Sequence, residues 1–253
     1  MNTDKAWEKW GQQDPYYGVL TDPRFRINNL TSEAKNEFFA TGEADIQRVF
    51  KIIEKFICPN FTPKNALDFG CGTGRLIIPL AKLVPQLVGI DISDAMLQEA
   101  KQNCQVRNIQ NITFYKSDDK LSALQTYKFD FIHTFIVLQH IHEERVRIIF
   151  EHLLNLLNVG GIGAIQLSYA KTEFKDSYGI MPDSLIRKNR NIFRRSKKTI
   201  RTLFPLSKDP EMQMNNHNLN HLFFLMQRAG VQNFYTEFTD HGGSLGVFLY
   251  FQK

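Results

Sequence analysis

The chain has 253 residues, of which 43% are hydrophobic and 23% are charged, and its formal net charge is +5. This length fits one α/β domain with additional segments and leaves little room for two full domains. The sequence has no run of about eighteen apolar residues, which excludes a conventional membrane-spanning helix, and no apolar signal-peptide core near Met1.

The cysteines are Cys58, Cys71 and Cys104. Their odd number and irregular spacing do not fit a disulfide framework or a zinc site. We therefore expect a cytoplasmic protein that binds no metal.

Positive charge is concentrated in one part of the chain. Residues 171–208 contain eleven Lys or Arg and three acidic residues, a local charge of +8 that leaves −3 for the rest. Such a concentration favours local contact with an anionic group over a surface that is basic throughout, so we do not expect DNA binding.

The pattern of apolar residues predicts helices and strands in alternation. A helix is predicted at 43–57, opened by Thr41-Gly42, and further helices at 75–83, 94–104 and 145–158. Strands are predicted at 66–70, 86–91, 112–116, 129–135 and 163–170. Strands and helices in turn are typical of a parallel sheet with right-handed crossovers.

The C-terminal part adds a helix at 217–229 and two strands, 231–238 and 244–251, with no helix between them. These two strands should form an antiparallel hairpin. The whole pattern predicts an α/β, Rossmann-like, doubly wound sheet of seven strands in the order 3-2-1-4-5-7-6, with one strand antiparallel. We expect a core at 43–170, completed by 215–253, with a basic helical cap inserted after strand five at 171–214.

A glycine loop follows the first predicted strand, in the sequence Asp68-Phe69-Gly70-Cys71-Gly72-Thr73-Gly74-Arg75. Glycines at a strand–helix junction let the backbone turn sharply and approach a ligand closely. The dinucleotide fingerprint G-x-G-x-x-G needs glycine at position 75, where this chain has arginine. The loop is therefore not typical of pyrophosphate binding.

Acidic residues end three successive predicted strands, namely Asp68, Asp91 and Asp118. A carboxylate at the end of the second strand is well placed to accept hydrogen bonds from the two hydroxyls of a ribose. Asp118 is similarly placed for an exocyclic amine. These positions indicate a nucleoside-containing ligand.

Between Ala66 and Tyr169 the motifs D-x-G-x-G-x-G and G-x-D-x-S-x-x-M-L resemble those of class I S-adenosylmethionine-dependent methyltransferases, particularly a broad bacterial subgroup that acts on small molecules. The resemblance implies that glycines contact the methionine moiety of S-adenosyl-L-methionine and Asp68 its amino end, that Asp91 binds the ribose, and that apolar side chains flank adenine. The implied donor-binding residues are Asp68, Gly70, Gly72, Asp91, Ile92, Met96, Asp118 and Phe135. A turn cap at Asp68 and a core position for Met96 are the alternative interpretations.

Two histidines are candidate general bases for a hydroxyl acceptor. His140 follows the fourth predicted strand, near the expected position of the methyl group, and His241 lies between the last two strands. A surface or helix-capping role is the alternative for His140.

Two regions are expected to build the acceptor pocket. Residues 1–42 carry many aromatics, and similar leaders in related enzymes fold over the donor, so we expect a lid that brings Tyr16 and Tyr17 to the acceptor. Residues 185–204 have an imperfect amphipathic pattern that includes Arg194 and Arg195, which would bind an anionic acceptor or an acidic membrane surface. A solvated cap helix is the alternative.

The sequence thus predicts methyl transfer to an O or N atom of a small molecule. RNA methylation is an alternative supported by the basic segment alone, since Thr134-Phe135-Ile136-Val137 replaces the N-P-P-Y type motif of amino-group nucleic-acid methylases. A non-catalytic donor-binding scaffold is the other alternative. The oligomeric state is left open.

Overall fold

The computed structural model describes residues 3–182 and 209–253. The strands are β1 (Asn65–Phe69), β2 (Gln86–Asp91), β3 (Ile112–Lys116), β4 (Phe129–Thr134), β5 (Leu157–Lys171), β6 (Phe234–His241) and β7 (Ser244–Gln252). The helices are α1 (Thr3–Gln13), α2 (Pro15–Val19), α3 (Ser32–Phe56), α4 (Ile77–Leu80), α5 (Asp94–Val106), α6 (Glu143–Leu156) and α7 (Leu219–Arg228).

All seven strands form one sheet in the order β3-β2-β1-β4-β5-β7-β6. Strands β1 to β5 pair in parallel, and β7 runs antiparallel to both of its neighbours, β5 and β6. The predicted strand order and the single antiparallel strand are confirmed. The carboxyl ends of β1 to β4 consequently meet at one edge of the sheet.

Helices cover both faces of the sheet because neighbouring strand residues point to opposite sides. On one face, Leu67 of β1 is buried in a core with Phe150 of α6 and Met226 of α7. On the other face, Ala66 of β1 is buried with Ile53 of α3. The two cores hold the loops at the carboxyl edge in fixed positions.

Helix α3 begins at Ser32, so the predicted start near Glu43 was wrong. Its N-cap is Thr31, whose hydroxyl accepts a hydrogen bond from the Ala34 N–H at 3.2 Å. Gly42 lies inside the helix, and a Cβ there would lie 2.0 Å from the carbonyl oxygen of Arg75. Glycine at this position therefore reflects close packing of α3 on the glycine loop and does not mark a helix start.

The inserted segment is described only at its ends. Residues 183–208, with the predicted helix at 185–204 and the predicted acceptor-binding Arg194 and Arg195, lie outside the described residues. The chain resumes at Asp209, whose carboxylate accepts a 2.9 Å hydrogen bond from Arg26. Within 3–182 and 209–253, each helix is too short or too polar to cross a lipid bilayer.

Candidate active site

A cavity opens at the carboxyl ends of β1 to β4. Its volume is about 910 Å³ when the solvent-filled mouth is included. Its described walls come from α1, the glycine loop, the ends of β2, β3 and β4, and the start of α6. Seven of the predicted donor residues belong to these walls, namely Gly70, Gly72, Asp91, Ile92, Met96, Asp118 and Phe135.

The glycine loop is bent toward the cavity by left-handed backbone conformations. Gly70 has φ +75° and Gly72 has φ +51°. A Cβ at Gly70 would lie 2.5 Å from both methyl carbons of Val137, which forms the opposite wall. The backbone N–H of Gly70 donates to the carbonyl of Ile90 at 2.8 Å, which fixes the loop to β2. These glycines therefore form a surface that a side chain would obstruct.

Asp91 lies where β2 ends and faces the glycine loop. Its Oδ2 accepts a hydrogen bond from the Gly72 N–H at 2.9 Å, and its Oδ1 accepts one from the Ser93 N–H at 2.9 Å. Desolvation at the cavity wall raises the pKa of Asp91 from 3.8 to about 6. The carboxylate is thus held rigidly and is less well solvated than a surface acid.

The far end of the cavity combines apolar and acidic groups. Ile92 and Met96 line it, and the Ser93 hydroxyl caps α5 by accepting a 3.1 Å hydrogen bond from the Met96 N–H. Oδ1 of Asp118 accepts hydrogen bonds from the backbone N–H groups of Lys120 and Ser122, at 2.8 and 3.1 Å. Apolar side chains beside a fixed carboxylate suit a planar base with an amino group.

Asp68 lies beneath the cavity and is not part of its described wall. It is 1% exposed, and its Oδ1 lies 2.9 Å from Nδ1 of His133 on the neighbouring strand β4. Oδ2 of Asp68 is buried without a hydrogen-bond partner among the described residues. The contact of Asp68 with the donor's amino group therefore stays a prediction.

His140 lines the cavity and is buried. Its Nδ1 lies 2.7 Å from the carbonyl oxygen of Gln213, so Nδ1 carries the proton and Nε2 carries a lone pair. Burial lowers the pKa of His140 to about 4. The imidazole is consequently neutral near pH 7, and its Nε2 lies 3.4 Å from the side-chain nitrogen of Gln139, which would have to yield this position to an acceptor hydroxyl.

His241 lies behind Phe135, with the ring centroids 5.9 Å apart. It is not part of the described cavity wall, and burial lowers its pKa. Its Nε2 is buried without a partner among the described residues. Of the two predicted histidines, His140 therefore lines the described cavity and His241 does not.

Tyr16 and Tyr17 do not form part of the described cavity wall. The Tyr16 hydroxyl donates to Glu99 at 2.5 Å, and its ring packs edge-on against Phe38. The guanidinium carbon of Arg26 lies 3.4 Å from the centroid of the Tyr17 ring. Both tyrosines fasten the N-terminal segment to the core, an arrangement that does not support their predicted contact with the acceptor.

Helix α1 closes one side of the cavity. Trp7 packs edge-on against His140, with ring centroids 4.9 Å apart. Arg145 of α6 donates to Asp4 of α1 at 2.8 Å and to Asp119 after β3 at 2.8 Å. Sequence reasoning missed this bridge because its three residues are far apart in the chain and belong to no motif.

Sequence reasoning also treated Arg75 only as a departure from the dinucleotide fingerprint. The structure places Arg75 in the cavity wall, 3% exposed. An arginine directly after a glycine loop has no spacing signal that would have revealed its partners.

The fold is shared with solved methyltransferases. Magnesium protoporphyrin IX methyltransferase (ChlM) from Synechocystis PCC 6803, with bound S-adenosylhomocysteine, is 18% identical, with 100% of both chains covered and a TM-score of 0.63. N-methyltransferase NodS from Bradyrhizobium japonicum WM9, also with S-adenosylhomocysteine, is 13% identical, with 100% of this chain and 99% of NodS covered and a TM-score of 0.58.

Two curated proteins match this chain over short stretches. The 23S rRNA (uracil(1939)-C(5))-methyltransferase RlmD of Aliivibrio fischeri strain MJ11 is 41% identical over 54 residues, which cover 21% of this chain and 12% of RlmD. RlmD of Marinomonas posidonica is 31% identical over 103 residues, which cover 39% of this chain and 23% of RlmD. The chain thus spans between about an eighth and a quarter of these relatives' length.

A family model described as a methyltransferase domain matches residues 66–161, the stretch that contains the glycine loop, Asp91, Asp118 and His140. The strand order, the position of the cavity and this match agree with one another. Residues 66–161 thus match a methyltransferase domain, and the sheet that contains them has the fold of solved methyltransferases.

Proposed function

We propose that the protein transfers a methyl group from S-adenosyl-L-methionine to an O or N atom of a small-molecule acceptor, preferably an anionic one. The observation that carries this proposal is a single cavity with the glycine loop and Asp91 on one side and Phe135 and His140 on another. A donor site and an acceptor site would thus share one cavity.

The donor fits the described residues. A Cβ at Gly70 would displace Val137, which also lines the cavity, so glycine keeps the backbone of this loop available to the methionine moiety. The carboxylate of Asp91 would accept hydrogen bonds from the ribose hydroxyls. Ile92 and Met96 would flank adenine, and Asp118 would accept a hydrogen bond from its amino group. S-adenosylmethionine, when bound, supplies an electrophilic methyl group on a positively charged sulfur.

His140 is our proposed general base. Methyl transfer is an in-line displacement, so the chain's main tasks are to align the acceptor and to exclude water. The lone pair on Nε2 of His140 would accept the proton of a hydroxyl acceptor, while the bond from Nδ1 to the Gln213 carbonyl fixes the ring. His241, behind Phe135, would act on the acceptor only indirectly.

A small acceptor is favoured over RNA by the position of α1. This helix lines one side of the cavity and is fixed by Arg145 through Asp4, which limits the room for a polynucleotide. The preference for an anionic acceptor rests on the basic segment, whose residues 183–208 lie outside the described residues.

The proposal is tested by following S-adenosylhomocysteine formation with S-adenosylmethionine and a panel of small carboxylate-bearing alcohols and amines, and separately with total RNA. Product with a small acceptor, absent when the protein is heat-denatured, supports the proposal. Product with RNA alone would favour the RNA alternative. Donor binding without product in any reaction would favour a scaffold.

A further inference from the structure

Arg75 is held in the cavity wall by helix α3. Its side chain is 4% exposed, and the absence of a side chain at Gly42 allows α3 to approach the Arg75 backbone. Thr41 and Asp45, one helical turn apart on α3, therefore reach the guanidinium group. The guanidinium carbon lies 5.8 Å from the centroid of the Phe135 ring, which also lines the cavity.

One edge of this guanidinium is satisfied and the other is not. Nη1 of Arg75 donates to Oδ2 of Asp45 at 2.6 Å and to the Thr41 hydroxyl at 3.3 Å. Nε is buried without a hydrogen-bond partner, and Nη2 has no hydrogen bond either, within the part of the chain that the structure describes. A buried donor left without a partner is costly, so this edge is a candidate ligand contact.

We infer that the Nε–Nη2 edge of Arg75 binds a carboxylate in the cavity. The two N–H groups of that edge match the two oxygens of a carboxylate, and a buried bidentate pair of this kind is among the stronger hydrogen-bonded contacts in proteins. Asp45 already balances the single positive charge of Arg75, so the Nε–Nη2 edge selects a ligand mainly by geometry. This inference rests on the proposed function.

Two molecules in the proposed reaction are sources of such a carboxylate. One is the methionine moiety of the donor, and the other is an acidic acceptor. Either carboxylate would have to reach Arg75, which lies between the glycine loop and Phe135 in the cavity wall. The chemistry at Arg75 is the same in the two cases, and the ligands used in the experiment separate them.

The test uses the full chain with Arg75→Lys, which keeps a positive charge opposite Asp45 and removes the paired N–H donors of Nε and Nη2. Calorimetry compares S-adenosylhomocysteine with 5′-methylthioadenosine, which lacks the amino-acid carboxylate, and acetate is then titrated into the S-adenosylhomocysteine complex. Arg48→Lys is the matched control. Like Arg75, Arg48 donates a hydrogen bond to a carboxylate, that of Glu237 at 2.6 Å, and its guanidinium carbon lies 5.6 Å from the centroid of a phenylalanine ring, Phe248. Unlike Arg75, it does not belong to the described cavity wall. Thermal unfolding checks that each variant is folded.

If the donor supplies the carboxylate, Arg75→Lys lowers the preference for S-adenosylhomocysteine over 5′-methylthioadenosine by about tenfold or more, and Arg48→Lys leaves it unchanged. If the acceptor supplies it, that preference is kept and the response to acetate is lost. An unchanged preference together with an unchanged acetate response would overturn the inference. A wild-type protein that binds neither nucleoside would contradict the proposed function itself.

Discussion

Gly72 and Asp91 are joined by a hydrogen bond between the first two strand ends, in which the Gly72 N–H donates to Oδ2 of Asp91 at 2.9 Å. A second bond, from the Ser93 N–H to Oδ1, fixes the other oxygen. Each carboxylate oxygen retains a further lone pair. The same side chain thus shapes the glycine loop and presents acceptors to a ligand.

Donor affinity should depend on pH through Asp91. Its pKa is raised from 3.8 to about 6, and ribose hydroxyls donate to the ionised form. Affinity for S-adenosylhomocysteine should therefore be constant above about pH 7 and should weaken as the pH falls through 6, by up to tenfold per unit. Calorimetry across this range checks the prediction, and Asp91→Asn should remove the dependence. A wild-type affinity that does not change would contradict it.

Gly70→Ala should abolish S-adenosylhomocysteine binding in a protein that remains folded. The new Cβ would meet Val137 at 2.5 Å and would also force alanine into φ +75°. Gly160→Ala is the matched control, since Gly160 has φ +80° and nothing lies within 4 Å of the added Cβ. Both variants should lose about 1–2 kcal/mol of stability from the backbone conformation, and Gly70→Ala should lose more because its Cβ must displace Val137. Loss of S-adenosylhomocysteine binding in both would argue against a specific role for Gly70.

Arg145→Ala should loosen α1. The variant loses the bridge to Asp4 and Asp119, so amide hydrogens of α1 should exchange faster and donor affinity should fall by a few-fold, in keeping with the modest strength of partly exposed ion pairs. Arg147→Ala, on the exposed side of the same helix, is the control. Equal exchange rates in the two variants would show that the bridge does not hold α1.

His140→Ala should lower kcat for a hydroxyl acceptor by about 10²–10⁴-fold while leaving donor affinity nearly unchanged. The neighbouring, exposed His142 provides the control variant, His142→Ala. Because the pKa of His140 is lowered to about 4, its ionisation should add no loss of activity between about pH 5 and pH 8. A kcat equal to that of the wild type would remove His140 from the mechanism.

The sheet was predictable because each strand carries its own local pattern and the crossover rules leave few topologies. The positions of Gly70, Gly72 and Asp91 followed from their places at strand ends. The start of α3 was not predictable, since Gly42 has poor helix propensity and its close approach to Arg75 is a tertiary contact that the local sequence does not encode.

Contacts between segments that are distant along the chain could not be predicted from the sequence either. Asp68 lies beside His133 because β1 and β4 are neighbours in the sheet, although 65 residues separate the two side chains along the chain. Nothing in the spacing of these residues distinguishes a buried pair from a donor contact. The contact of His140 with Gln213 likewise depends on where the inserted segment returns to the core.

Binding of S-adenosylhomocysteine to the wild type and to Asp91→Ala, measured by calorimetry above the pKa of Asp91, tests the central claim most directly. We predict one site in the wild type, weakened by about 2–4 kcal/mol, or roughly thirty- to a thousand-fold, in a variant that remains folded. Equal affinity in the two proteins, or no binding to the wild type, would contradict the assignment of this cavity as the methyl-donor site.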